Sequence, residues 1–186
     1  ADMLDRAKAA MFKPFVVSLM ADPSGAYTTA AAMLACVEAA LRQVRGGAAR
    51  GGPTGALTGQ NVLVLGGTGP VGRIAGVIAA RCGAQVALSS RGGVAAAEQA
   101  ARETGQRFQV ELQGVSASDR ATLRESLAQA DVVLACAAAG VQVVSIDDLV
   151  HARRLKVAAD LNAVPPEGIA GLGAMDDAKV LAGTQA

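Results

Sequence analysis

The sequence predicts a doubly wound α/β domain on a parallel sheet, and three observations lead to this fold class. From residue 58 to about residue 175, short apolar runs alternate with longer segments of helical periodicity. The apolar runs are mostly unbroken, as expected for strands covered by helices on both faces. A glycine-rich turn joins the first run to the first helix. Alternation of this kind produces one twisted parallel sheet.

Composition limits the possible functions. The chain has 186 residues, of which 52% are hydrophobic and 18% charged, enough for a substantial buried core. A formal net charge of +1 and an aromatic content of 2% argue against a nucleic-acid partner. The longest apolar stretches are shorter than the ~18 residues that a membrane-spanning helix requires, and the first residues lack a secretory signal. We therefore expect a cytoplasmic protein.

The chain holds few of the cysteines and histidines that form zinc sites, and histidine, the usual acid-base residue, is nearly absent. Cys36, Cys82 and Cys136 lie far apart without a C-x-x-C pair, and His151 is the only histidine. These residues cannot assemble a zinc site, so we predict no metal. We expect the cysteines to be small buried side chains and His151 to be a solvated surface residue.

The first 57 residues predict elements that cannot form a domain alone. They comprise a helix, a buried strand, a turn cluster, a second helix and a Gly-rich linker, at 2–11, 14–20, 21–27, 28–44 and 46–57. A single strand needs a partner, so this unit is either donated to the main sheet or the remnant of a larger domain. Because the chain also begins with Ala, we expect a fragment.

Five strands and four helices are predicted after the linker. The strands are 61–66, 85–89, 107–112, 131–136 and 155–160. The helices are 70–82, 93–104, 118–129 and 145–152. Together they form a dinucleotide-binding domain over residues 58–186 if the glycine turn binds phosphate.

The turn "GTGPVG" has the G-x-G-x-x-G spacing, with Gly67, Gly69 and Gly72 between a strand and a helix. These glycines allow the tight turn, the approach of a pyrophosphate and close helix packing, and the helix N-terminus attracts phosphate. Pro70 suits the first helical position. An ordinary Gly-rich turn is the alternative interpretation. The predicted cofactor-binding residues here are Gly67, Thr68, Gly69, Pro70, Val71 and Gly72.

The second strand indicates which dinucleotide is bound. It ends in Ser89, Ser90 and Arg91, where NAD-preferring sites carry a carboxylate. A guanidinium with two hydroxyls suits a 2′-phosphate, so we predict NADP, with NAD also possible if Arg91 is only an exposed loop residue. The small residues Ala137 and Ala138 after the fourth strand allow the cofactor to lie against the backbone, or simply pack.

Polar residues follow the last predicted strand. Asp160 and Asn162 emerge at the carboxyl edge of the sheet, before a Pro-Pro turn. Polar groups at this edge face the nicotinamide in doubly wound enzymes. The alternative for Asp160 is a carboxylate that caps the turn.

Three ordered segments carry a family resemblance. "DPSGAYTTAAA" (22–32), "GTGPVG" and "ADLNAVPPEGIAG" (159–171) resemble the bacterial NAD(P)-dependent methylene-tetrahydromethanopterin dehydrogenases of one-carbon metabolism. In that family a pterin domain and a Rossmann-like nucleotide domain face each other across a cleft. The resemblance implies that residues 1–45 are part of the pterin-binding α/β domain, and it implies a homo-oligomer.

The resemblance also implies a reaction. Hydride leaves the methylene bridge of a reduced pterin for the nicotinamide, so no proton has to move. Asp160 could favour the developing cation, while Asn162, Thr28 and Thr29 could orient the pterin. Tyr27 stands where the family has a small polar residue, often Asn, and is a further substrate-binding candidate. The alternatives are an oxidoreductase of the shikimate or methylene-tetrahydrofolate dehydrogenase kind and a non-catalytic NADP-binding module.

Overall fold

A computed structural model describes residues 3–44, 55–162, 164–181 and 184, and within them a five-stranded parallel sheet forms the centre. The strand order is β3-β2-β1-β4-β5, so the first strand pairs with the second on one side and the fourth on the other. This arrangement confirms the doubly wound α/β fold class. The strands are β1 (Asn61–Leu65), β2 (Gln85–Ser90), β3 (Gln113–Ser116), β4 (Val132–Ala135) and β5 (Val157–Asp160).

Helices cover both faces of the sheet. One face carries α2, α3 and α4 over a core that includes Val62, Val64 and Leu88, and the other carries α5 and α6 over Leu63 and Leu65. Alternate residues of β1 thus enter opposite cores, which explains its unbroken apolar sequence. The helices are α1 (Met3–Ala9), α2 (Ala26–Val44), α3 (Pro70–Arg81), α4 (Val94–Phe108), α5 (Arg120–Gln129) and α6 (Ile146–Leu149), with a 3-10 turn at Pro23–Gly25. Within the described residues, no helix is both long and apolar enough to cross a membrane.

Helix α2 packs on the same core as the sheet. Its buried residues recur at helical spacing and contact α3 and β5. They include Ala30, Met33, Leu34, Val37 and Leu41. The proposed linker at 46–57 falls largely outside the described residues, but Leu57 at its end is fully buried in this core.

The predicted buried strand at 14–20 is wrong. All of its residues are exposed, and the backbone forms only an isolated bridge between Phe12 and Phe15. The two aromatic rings meet edge to face at 5.4 Å. The segment has the composition of a strand, but no strand of the described chain lies beside it to complete the hydrogen bonds.

The predicted strand at 107–112 is also wrong. Helix α4 continues to Phe108 and ends at Gln109, which has a left-handed φ of 56°. The strand β3 begins later and is an edge strand of sequence "QGVS" that contains a single large apolar residue. Gly114 gives it room, because a Cβ there would collide with the backbone of Glu98 in α4. The position of β3 is therefore determined by its close packing against α4 and not by an apolar sequence.

The prediction of buried cysteines is wrong for Cys36. Its side chain is exposed on the solvent side of α2, although Met33 and Val37 on either side of it in sequence are buried. The Sγ of Cys136 lies 3.8 Å from the Sδ of Met33. Burial, with a contribution from Asp160, raises the pKa of Cys136 to about 12, so this thiol stays protonated. His151 is exposed, as predicted.

Candidate functional site

The glycines of the turn differ in their surroundings. Gly67 and Gly72 are closely packed, whereas Gly69 faces open space. A Cβ on Gly72 would lie 2.6 Å from the carbonyl oxygen of Gly66, and one on Gly67 would lie 2.8 Å from the Cβ of Leu88. A Cβ on Gly69 would meet no atom nearer than 3.4 Å. Gly67 and Gly72 therefore allow close packing of the turn, whereas Gly69 leaves a surface that a ligand can approach.

Sequence analysis missed Gly66. This residue has a φ of +73°, and its ideal Cβ would lie 2.7 Å from the carbonyl oxygen of Cys136. It therefore brings the end of β1 against the end of β4, where the two halves of the sheet diverge. The doubled glycine in "LGGTG" was the available signal.

The start of α3 has no polar side chain at its N-cap. Gly69 occupies the N-cap without a side-chain hydrogen bond, and Pro70 is the first helical residue. Uncapped N–H groups at the first turn of a helix are the type of group that binds anions in other proteins. Arg73 holds the turn in place, because its Nε donates to the Thr68 carbonyl at 3.1 Å and its Nη1 contacts Glu103 at 2.9 Å.

A cleft of about 540 Å³ lies at the carboxyl edge of the sheet, next to this turn. It brings together five predicted cofactor-binding residues: Thr68, Ser89, Ser90, Arg91 and Ala137. The other predicted residues Gly67, Gly69, Pro70, Val71 and Gly72 build the turn itself, and Ala138 is exposed beside Ala137. The position is that of ligand sites in doubly wound folds, at the divergence of β1 and β4.

The end of β2 shows how the predicted phosphate subsite is held. Ser89 and Ser90 are buried, and the Oγ of Ser90 accepts a hydrogen bond from Gly92 N at 3.0 Å. Arg91 is exposed. Among the residues lining the cleft, the only carboxylate is Asp119, whose Oδ1 accepts from Thr122 N at 2.9 Å and caps α5. Backbone hydrogen bonding from Thr122 lowers the pKa of Asp119, so it is an anion engaged in capping.

Several residues that line the cleft were not predicted. They lie between β3 and the start of α5 and in the segment between β4 and α6, and they include Ala117, Ser118, Asp119, Arg120, Gln142 and Val143. Ala117 N donates to the Ser90 carbonyl at 3.0 Å, which fixes the end of β3 next to the end of β2. The sequence analysis did not predict these residues because it placed the third strand at 107–112, whereas β3 ends at Ser116.

A second groove, of about 640 Å³, runs between α2, β5 and the segment 172–181. It brings together Thr29, Asp160 and Asn162, three of the predicted substrate or catalytic residues. Tyr27 and Thr28 do not line it. Tyr27 N and Thr28 Oγ1 instead donate to Asp22, at 2.7 and 2.6 Å.

Asp160 and Asn162 close the loop after β5. The Asp160 carboxylate accepts from Asn162 N and Ile169 N, both at 2.9 Å. This is the geometry of the turn-capping alternative, and the catalytic role of Asp160 stays a prediction. Asn162 accepts from Gly140 N at 3.0 Å and donates to the Pro166 carbonyl at 2.8 Å. The same amide therefore joins the loop after β4 to the loop after β5.

Comparison with known proteins shows a relationship. The chain is 40% identical over 171 residues to the NAD(P)-dependent methylenetetrahydromethanopterin dehydrogenase of Methylorubrum extorquens, an alignment that covers 92% of this chain and 55% of that protein. Over the aligned region, the chain is thus similar to a dehydrogenase of this name. The bifunctional protein MdtA of the same organism is 33% identical over 184 residues, which cover 99% of this chain and 59% of that protein. The chain thus spans a little over half the length of the curated relatives it matches.

Solved structures agree on the fold. An L-alanine dehydrogenase superposes with a TM-score of 0.58, at 20% identity over 85% of this chain and 45% of that chain. The transhydrogenase of Sinorhizobium meliloti gives 0.54, at 20% identity over 84% of this chain and 49% of that one. No protein-family model matches the chain. The domain is therefore Rossmann-like, with the strand order found in dinucleotide-binding dehydrogenases.

Proposed function

We propose that this chain binds NADP(H) along the carboxyl edge of its sheet and forms the nucleotide half of a methylene-tetrahydromethanopterin dehydrogenase. The observation that carries the proposal is one cleft beside the glycine turn, lined by Thr68 of that turn and by the residues at 89–91. The similarity to a dehydrogenase named for this substrate supports it. In the proposed reaction, the methylene bridge of methylene-tetrahydromethanopterin is oxidised to the methenyl form. Methylene-tetrahydrofolate is a second candidate substrate.

The residues of the cleft fit a phosphorylated dinucleotide. The N-terminus of α3 and the open face of Gly69 would receive the pyrophosphate. Arg91 and Ser90 would bind the 2′-phosphate, since the cleft's one carboxylate, Asp119, is committed to capping α5. When bound, the nicotinamide supplies the hydride acceptor. The protein's contribution is to hold the two reacting groups close together.

The second groove is the proposed substrate side. Thr29 and Asn162 would orient the pterin, and Asp160 would favour the cation that forms as hydride leaves. The reaction transfers no proton to or from the protein, so it requires no general base. Tyr27 and Thr28 would act through the turn at Asp22, to which both donate, because this turn sets the start of α2.

Cofactor preference gives the direct test. We expect wild-type protein to bind NADPH more tightly than NADH in a fluorescence titration, and Arg91→Ala to remove most of the difference. Arg102→Ala is the matched control, because Arg102 is an exposed arginine of α4 outside the cleft. Equal affinities of wild type for the two dinucleotides would contradict the 2′-phosphate assignment.

The substrate needs a separate assay on the longer natural protein. Reduction of NADP at 340 nm should depend on methylene-tetrahydromethanopterin, and Asp160→Asn should lower kcat more than it raises KM. Cofactor binding without turnover on this pterin or on methylene-tetrahydrofolate would favour a non-catalytic NADP-binding module. Homo-oligomeric assembly and a cytoplasmic location also belong to the proposal; the first rests on the family resemblance and the second on the composition of the sequence.

A further inference from the structure

The N-terminus of α6 contains a carboxylate that is fully buried. Asp148 is 0% exposed, and its Oδ2 accepts from Ser145 N at 3.0 Å and from Ser145 Oγ at 2.7 Å. Together with the reverse bond from Asp148 N to Ser145 Oγ, these contacts form a complete capping box. The cap therefore satisfies the local backbone without help from any other side chain.

Two arginines nevertheless converge on Asp148. Arg120 Nη1 lies 2.6 Å from its Oδ2, and Arg124 Nε lies 2.8 Å from its Oδ1. Burial alone would raise the pKa of Asp148, but the hydrogen bonds from Ser145 and Arg124 and the charge of Arg120 outweigh it and lower the pKa. One carboxylate anion thus faces two guanidinium cations, which leaves the cluster with an excess positive charge.

Only one of these arginines lines the cofactor cleft. Arg120 is the first residue of α5, and its side chain is 56% exposed where it borders the cleft. The bonds that fix it, to Asp148 and to the Val143 carbonyl at 3.4 Å, all use Nη1. Within the described residues, no hydrogen bond is recorded from its Nε or Nη2, so that edge and the planar faces of the guanidinium are available to a ligand.

The walls around Arg120 suit a flat aromatic base. Ala117, Leu123 and Val143 give the cleft an apolar surface on this side. Ala117 follows β3 and is hydrogen bonded to Ser90, so this part of the cleft adjoins the end of β2 that would hold the ribose and its phosphate. In a dinucleotide the base is the group attached to that ribose. Apolar lining next to a fixed, planar cation is what stacking on an aromatic ring requires.

We propose that Arg120 is a cofactor-binding residue that stacks on the adenine ring of the dinucleotide and is held in place by Asp148. This inference rests on the proposed binding of NADP(H). Because Asp148 fixes the guanidinium before the cofactor arrives, little side-chain freedom is lost on binding. Since adenine is common to both dinucleotides, Arg120 contributes to affinity without choosing between NADP and NAD, in contrast to Arg91.

Titration with NADPH and with NADH tests this proposal. A stacked guanidinium is expected to contribute about 5- to 30-fold in affinity, so Arg120→Gln should weaken both dinucleotides by that factor. Arg120→Lys keeps the charge but loses the plane, and it should recover less than half of the loss on a logarithmic scale. Arg124→Gln is the matched control, because it also removes a partner of Asp148 but lies outside the cleft. It should change both affinities less than about twofold.

Each other outcome overturns the proposal. Equal losses in the glutamine variants of Arg120 and Arg124 would show that the effect comes from disturbing Asp148. A loss confined to NADPH would show that Arg120 meets the 2′-phosphate, and full rescue by lysine would show that charge alone matters. Unchanged affinity in Arg120→Gln would remove the residue from the site. If wild type binds neither dinucleotide, the proposed function fails along with this inference.

Discussion

Replacing Gly69 or Gly72 by alanine adds the same methyl group, but the measurable effects should differ. We expect a loss of stability at Gly72 and a loss of NADPH affinity at Gly69. At Gly72 the new Cβ would lie 2.6 Å from the Gly66 carbonyl oxygen and 3.0 Å from the Gly67 Cα. Both neighbours are backbone atoms that cannot rotate away, so α3 must move from the end of β1. Overpacking of this kind costs about 1–3 kcal/mol, and the two backbone contacts place Gly72→Ala in the upper half of that range.

Gly69 gives the matched comparison. Its φ of −75° and ψ of 164° suit any residue, and the nearest atom to an added Cβ is 3.4 Å away. Loss of chain entropy in the unfolded state favours alanine by about 0.4–1 kcal/mol, and the poorer N-cap offsets a similar amount. The free energy of unfolding of Gly69→Ala should therefore stay within about 1 kcal/mol of wild type. Its methyl group would occupy the space proposed for pyrophosphate, so NADPH affinity should fall about tenfold or more.

Thermal unfolding and NADPH titration on both variants separate these effects. Gly72→Ala should lower the thermal midpoint by about 5–10 °C, because 1 kcal/mol corresponds to roughly 2–4 °C in a domain of this size. Gly69→Ala should lose cofactor binding at nearly unchanged stability. Wild-type stability in Gly72→Ala would refute the packing argument, and wild-type NADPH affinity in Gly69→Ala would refute the position assigned to the pyrophosphate.

Three further predictions concern stability. Gly168→Ala would place a Cβ 2.7 and 2.9 Å from the two carboxylate oxygens of Asp160, so it should destabilise the loop after β5, measurable as faster proteolysis or amide exchange there. Leu41→Ala should cost about 2–5 kcal/mol in urea unfolding, since the side chain of Leu41 is fully buried; a surface-like effect below about 0.5 kcal/mol would show that α2 does not belong to this core. Burial would raise the pKa of Asp131 and of Asp148, but hydrogen bonds outweigh burial and lower both pKa values. The stability that these two ionised carboxylates contribute is therefore present above about pH 4, and it is lost as the pH falls through their pKa values in the folded protein. Unfolding free energy measured from pH 7 to pH 3 should fall, and Asp148→Asn should make that fall shallower; an unchanged slope would contradict the assignment.

The sheet was predictable where strands are buried on both faces. The apolar runs at β1, β2, β4 and β5 were each located to within two residues at either end, because helices on both sides demand continuous hydrophobic sequence. Pro70 was placed correctly as the first residue of α3, since the missing N–H carries no cost there. These features depend on local chemistry alone.

Elements whose identity depends on neighbours were not predictable. The apolar segment at 14–20 has the composition of a strand, but hydrogen-bonding partners decide whether a strand forms. The strand β3 has almost no apolar signal, because Gly114 packs directly on the backbone of α4. Three of its four residues, Gln113, Gly114 and Ser116, are polar or small, so the sequence alone looks like that of a loop.

The same error limited the prediction of the site. Ser89, Ser90 and Arg91 were found because they lie at a recognisable distance after the glycine turn. Arg120 was not found, because its place in the cleft depends on the end of β3 and on a contact with Asp148, 28 residues further along the chain. Residues 89–91 and Arg120 meet in one cleft because β2 and β3 are neighbours in the sheet, and the sequence alone does not give this strand order.

The packing of α2 has a mechanical consequence. Its side chains pack in one core with residues of α3 and β5, so Thr29 near its start and Asp160 at the end of β5 belong to elements that share a hydrophobic core. Any motion of the residues before α2 relative to the sheet would be taken up where the exposed segment at 12–20 leads into the turn at Pro23–Gly25. Such motion would leave the spacing between Thr29 and Asp160 unchanged.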